Sequence, residues 1–177
     1  MKLKYKIIII ISCVFIFLYF FIILWYNGLI WPNTPSKKKY PVRGVDVSSY
    51  QGEIDWETLE NQDIDFAFIK ATEGSGYEDE YFQQNFQNAS ETGIRIGAYH
   101  FFSFDSSGIT QAENFIKTVP KTQNMLPPVI DLEFYAQHGS DPPEKEETRY
   151  NLQKMIDAVY DYYGLMPVIY VTDITYE

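Results

Sequence analysis

Apolar residues follow two different patterns along the chain, and the change comes near residue 42. Residues 7–26 (IIIIISCVFIFLYFFIILWY) hold twenty positions without a charge. At 1.5 Å per helical residue they would span about 30 Å, the hydrocarbon thickness of a bilayer. Lys2, Lys4 and Lys6 flank the block on one side, and Trp25, Tyr26 and Trp31 suit the opposite interface. This is the order of a signal anchor, with residues 1–6 in the cytoplasm and the body outside. A cleavable signal would have an apolar core of roughly 7–15 residues and a small-x-small site. The block has neither. Residues 27–41 (NGLIWPNTPSKKKYP) lack any period and are rich in Pro, Asn and Lys, so they read as a linker.

From residue 42 onward the apolar residues come in short runs between turn residues. Residues 43–48 (RGVDVS), 66–71 (FAFIKA), 94–101 (IRIGAYHF), 129–134 (VIDLEF) and 167–172 (PVIYVT) have strand length and composition. Helical spacing falls between them. Asp55 can cap a turn carrying Trp56 and Leu59. Residues 81–92 place Phe82, Phe86 and Ala89 on one face, with Gly93 as the expected stop. Residues 109–119 do the same through Ala112, Phe115, Ile116 and Val119. After Pro142 and Pro143, a stripe of Leu152, Ile156, Val159 and Tyr163 runs to Gly164. Strands alternating with helices at this spacing predict right-handed crossovers and a parallel sheet. The expected class is α/β, with about five strands preceded by one transmembrane helix.

Charge sharpens the division. The residues before 42 carry six basic and no acidic side chains, whereas those from 42 onward carry eight basic and 24 acidic ones, a net −16. A body so acidic has no electrostatic footprint for nucleic acid. The single cysteine, Cys13, makes no internal disulfide and no thiolate metal cage. Residues 42–177 suffice for one domain and not for two.

The run 129–134 carries the chemistry. It alternates, so Ile130, Leu132 and Phe134 share one face while Asp131 and Glu133 share the other. Two carboxylates on the face of a parallel strand are costly unless paired or used. Their Cα atoms would lie about 6.6 Å apart, close enough to raise one pKa and keep a proton available. Asp46 repeats the pattern on the first strand. The three carboxylates lack a histidine at ligand spacing, so no metal is expected, and no cofactor motif is present.

Several ordered segments resemble the signature of glycoside hydrolase family 25, the muramidase-type lysozymes. They are GVDVSSYQG from Gly44, Asp55-Trp56, FIKATEG from Phe68 with Tyr77 and Asp79, GAYHF from Gly97, and PVIDLE from Pro128. Together they extend over residues 43–172. The resemblance implies an irregular (β/α) barrel whose substrate is peptidoglycan, with residues 42–177 as the catalytic domain. It implies Glu133 as general acid, Asp131 orienting the 2-acetamido group of the sugar, and Asp46 polarising the groove floor. Tyr99, Tyr170 and His100 become candidate sugar contacts, each with a packed structural role as the alternative. Lys70 and Glu73 are expected to form an ion pair. The family's further strands have no counterpart here, so the barrel is expected to be incomplete, as a fragment or a truncated relative. A glycan-binding protein without turnover and a glycosidase acting on chitin-like polymers are the rival expectations.

Overall fold

The computed structural model describes residues 3–26, 35–62 and 64–176, which divide into two units, Met1–Pro41 and Val42–Glu177. In the first unit, α1 (Leu3–Tyr26) is a 24-residue helix, long and apolar enough to cross a membrane. Its apolar side chains lie all round, as a lipid-facing helix requires. The helix begins ahead of the expected span 7–26 and takes Lys4 and Lys6 into its first turns. Residues 27–34, with Trp31 and the first half of the expected linker, lie outside the described residues. Beyond them Lys37 to Lys39 form a turn closed by Tyr40 N–H on the Ser36 carbonyl, 2.8 Å.

The second unit is built on a parallel sheet. Its strands are β1 (Gly44–Val47), β2 (Phe66–Glu73), β4 (Arg95–Phe101), β5 (Val129–Leu132) and β6 (Val168–Val171), hydrogen-bonded in that order. A two-residue strand, β3 (Tyr77–Glu78), folds back antiparallel on β2. Helices α2 (Trp56–Glu60), α3 (Phe82–Ser90), α4 (Gly108–Thr118) and α5 (Lys145–Tyr163) supply the crossovers, and α6 (Asp173–Tyr176) follows β6. The five parallel strands curl into half a barrel. Among the described residues nothing pairs with the far side of β6, where Val168 and Tyr170 are about half exposed.

Strand parity decides which side chain meets which solvent. Ala67, Ile69, Ile96, Ala98, Ile130 and Leu132 point to the helices and pack with Phe82, Phe86, Phe115, Met155 and Val159. Phe66, Phe68 and Tyr99 take the concave side. The β2–β4 register slips between Lys70 and Thr72. The extra residue turns Thr72 to the helix side, where it meets His100. Gly44 and Gly97 make room for the aromatic floor: a Cβ would fall 2.2 Å from the Phe66 ring at Gly44 and 2.5 Å from the Phe68 ring at Gly97.

Local chemistry sets the element ends. Asp55 caps α2 by accepting Thr58 N–H at 2.9 Å, as the sequence predicts. Helix α3 stops earlier than expected, at Ser90, because Thr92 Oγ1 takes the Ala89 carbonyl at 2.7 Å. Gly93 therefore does not end it and instead donates its N–H to Glu60 Oε1 at 2.6 Å. Gly164 does end α5, at φ 72°. Met155 joins Val159 and Tyr163 as the fully buried face of α5, with Leu152 and Ile156 partly buried beside them. The run 129–134 is shorter as a strand than its alternation predicts. Pairing with β4 ends at Asp131, Phe102 N–H takes the Asp131 carbonyl at 2.8 Å, and Glu133 leaves the strand into a loop.

Candidate active site

The concave side of the half-barrel encloses a groove of about 410 Å³. Asp46 reaches it from β1, Tyr99 from β4, Asp131 from β5, Glu133 from the loop just beyond, and Tyr170 from β6. Phe66 and Phe68 form its apolar floor. Five of the six residues singled out in the sequence thus meet in one place. Strands β4, β5 and β6 present Phe101, Asp131 and Tyr170 side by side, which sets Asp131 at the carboxyl ends of the strands.

His100 is the exception. It follows Tyr99 on β4, so it points to the opposite face and is fully buried among the helices. Of its two expected roles, sugar contact or hydrogen-bonded support, this burial favours the second. Gln111 Nε2 donates to the Ser103 and Ser106 carbonyls, each at 2.9 Å, so its Oε1 must accept from His100 Nε2 at 3.0 Å. His100 Nδ1 is then free to accept from Thr72 Oγ1 at 2.7 Å. Burial pushes the imidazole pKa down to about 4, with Gln111 opposing and Lys70 assisting, so His100 is neutral at pH 7.

Electrostatics single out Asp131. Burial is the main cause that pushes its carboxyl up to about 7, and the charges of Glu133 and Asp46 add to it while Lys70 opposes. Its Oδ1 is buried with no hydrogen-bond partner among the described residues. Burial followed by the charges of Asp46 and Asp131 raises the Tyr99 hydroxyl, so it is a neutral donor at any working pH. Tyr170 is raised chiefly by Glu133. Lys70 is 8% exposed, pairs with Glu73 Oε2 at 2.7 Å and lies 5.0 Å over the Phe101 ring. The expected ion pair is present, and the Lys70 charge opposes the rise of the Asp131 carboxyl.

Three contributors, Phe66, Phe68 and Asp79, have no chemical role legible in the sequence. Phe66 and Phe68 share Lys70's parity, so the alternation of FAFIKA held the signal for the floor. Asp79 is 2% exposed and accepts Ser49 N–H and Tyr81 N–H, both at 3.0 Å. It ties the segment after Asp46 to the turn before α3, which fixes the β1 end of the groove. Among the described residues no group of three or more His, Cys, Asp or Glu is arranged to hold a metal ion. An aromatic-walled cleft with clustered carboxyls, one of them pushed up to about 7, suits protonation of a sugar's leaving oxygen.

Comparison with known proteins fits this geometry. Residues 45–176 match the family model described as glycosyl hydrolases family 25. A family 25 glycosyl hydrolase structure from Bacillus anthracis superposes with a TM-score of 0.75 at 54% identity, covering 76% of this chain and 62% of that one. The protein YegX of Escherichia coli K12, itself uncharacterised, is 35% identical over 143 residues, 78% of this chain and 51% of its own length. Lysozyme M1 of Streptomyces globisporus is 43% identical over 96 residues, 52% of this chain and 33% of its own. The chain spans about half the length of the first of these curated relatives.

Proposed function

The chain belongs to glycosyl hydrolase family 25, and on that premise we propose that it is a lysozyme-type hydrolase. Its substrate is peptidoglycan, cut at the β-1,4 bond between N-acetylmuramic acid and N-acetylglucosamine. The observation that carries this reading is the meeting of Asp46, Asp131 and Glu133 in one aromatic groove.

Glu133 is the general acid, giving its proton to the glycosidic oxygen as the bond to C1 breaks; a water then bonds to C1 and returns a proton to the carboxylate. In the free site burial, with the charges of Glu133 and Asp46, pushes the Asp131 carboxyl up to about 7. A sugar's acetamido N–H is a donor, and a donor facing Asp131 favours its carboxylate. Asp131 then orients and charge-stabilises the acetamido group. Asp46 polarises the groove floor. Tyr99 and Tyr170 contact the sugar rings from the strands on either side of β5.

Turbidity clearing of purified cell walls by the chain tests the assignment. Glu133→Gln should clear at least about a hundredfold more slowly, the range of a lost general acid. Equal clearing by the variant would remove Glu133 from that role. The rival reading is glycan binding without turnover, favoured by the openness of the groove beside β6, where Tyr170 is 53% exposed. Wall-fragment binding with no new reducing ends would establish it.

For the cell, we read residues 7–26 as a membrane anchor and residues 1–6 as its cytoplasmic end. Residues 27–41 are the linker, and residues 42–177 are an extracytoplasmic catalytic domain. The apolar α1 and the basic residues ahead of residue 7 support this arrangement.

A further inference from the structure

Glu133 lies one residue past the end of β5, so its direction depends on the loop that follows. That loop is tied down at Tyr135. The Tyr135 ring stacks on Phe104 at 5.8 Å and 26°, and lies 5.5 Å from the Phe101 ring. Its hydroxyl is 3.1 Å from Ser103 Oγ and 3.4 Å from Asp105 Oδ2. Asp105 N–H donates to the same Ser103 Oγ at 3.2 Å. The carboxylate can only accept, so the three groups close a ring: Asp105 N–H to Ser103, Ser103 O–H to Tyr135, Tyr135 O–H to Asp105. His138 flanks it, 5.2 Å from the Tyr135 ring and 3.6 Å from Asp105 Oδ1.

The far side of this ring is anchored in the core. Ser103 N–H donates to Gln111 Oε1 at 2.8 Å, and its carbonyl accepts from Gln111 Nε2 at 2.9 Å. Gln111 in turn holds His100, and His100 holds Thr72. Hydrogen bonds therefore run without a gap from β2, through two fully buried side chains, to the loop bearing Glu133. Immediately after Tyr135, Ala136 adopts φ 46°, a left-handed conformation that a residue with a Cβ keeps only when its surroundings impose it.

We propose that Tyr135 is a positioning residue for Glu133, its hydroxyl latching the loop after β5 onto the β4–α4 turn. The inference rests on Glu133 acting as the acid. Without the latch the left-handed turn at Ala136 relaxes, and the carboxyl loses its aim at the glycosidic oxygen, where misplacement by about 1 Å costs rate steeply.

The test uses the full chain in detergent. Tyr135→Phe removes the hydroxyl and keeps the ring. Backbone amides of residues 134–139 should exchange hydrogen at least tenfold faster, while those of β4 and α5 are unchanged. Turnover on cell walls should fall at least tenfold with KM unchanged, and the unchanged exchange of β4 and α5 shows that this loss is not a smaller folded fraction. The paired change Ser103→Ala with Asp105→Ala removes the hydroxyl's partners from the other side and should loosen the same amides, adding nothing to Tyr135→Phe. It also decides the matter if Tyr135→Phe does not fold. Parent-like exchange at 134–139 overturns the latch, and faster exchange with parent-like turnover overturns its positioning role. Glu133→Gln, run beside it, separates the two ideas. If that variant keeps the parent's rate, the acid assignment fails, and the exchange pattern alone judges the latch.

Discussion

Asp131 and His100 shape the pH response of the folded protein in opposite senses. The Asp131 carboxyl holds its proton to about pH 7 in the folded chain and to 3.8 when unfolded. Its contribution to stability is full below pH 3.8 and is lost as pH rises through about 7. His100 takes up a proton near 6.5 when unfolded but only near 4 when folded. Its contribution is full above pH 6.5 and is lost as pH falls toward 4, by up to about 3 kcal/mol for a site so deeply buried. Asp131→Asn removes a charge the fold resists. The variant should unfold at a higher temperature than the parent at pH 8, with the gap closing near pH 4, and should clear walls poorly at either pH. Thermal scans across that range check the slope, and a gap that widens toward acid would refute the burial of the charge. The alternation of VIDLEF made both carboxyls legible in the sequence. Which of them keeps the proton was not, because burial and the distant Asp46 decide it.

Among the elements, the contact between α4 and α5 is the most sensitive to a small change. Gly108, the first residue of α4, has its N–H on Asn151 Oδ1 at 3.0 Å, and a Cβ there would lie 1.7 Å from the Asn151 carbonyl oxygen of α5. Backbone cannot move aside as a side chain can. Gly108→Ala should cost about 3 kcal/mol, the upper range for overpacking, measured as a lower urea midpoint with an unchanged slope. The sequence disclosed every helix of three turns and every parallel strand, since each carries its own period. It did not disclose β3, which has two residues and no period, nor the slip between Lys70 and Thr72. Both arise from pairing between strands distant in sequence. The side of β4 that bears His100 was open to inspection by parity from Tyr99, yet only the assembled sheet says which face holds the helices.

At the scale of the whole molecule, a basic anchor segment and an acidic body share one chain. If residues 7–26 enter a bilayer, the full chain should sediment with membranes and resist extraction by salt or alkali. A version beginning at Val42 should stay in the supernatant. Recovery of the full chain in the salt wash would reduce the anchor to a surface attachment. Among the described residues the far side of β6 is unpaired, and in a body made of residues 42–177 this has a consequence for solution behaviour. Its outward N–H and C=O groups, beside half-exposed Val168 and Tyr170, are a template on which another strand can add. Two bodies of net −16 repel at low ionic strength, but the reach of that repulsion shrinks from roughly 30 Å at 0.01 M salt to roughly 3 Å at 1 M. Light scattering of the Val42 version should therefore grow with added salt and with concentration, and Val168→Lys should suppress it. The same charge that marks the body as a poor partner for nucleic acid would act as its colloidal stabiliser, holding an adhesive edge apart from its copies.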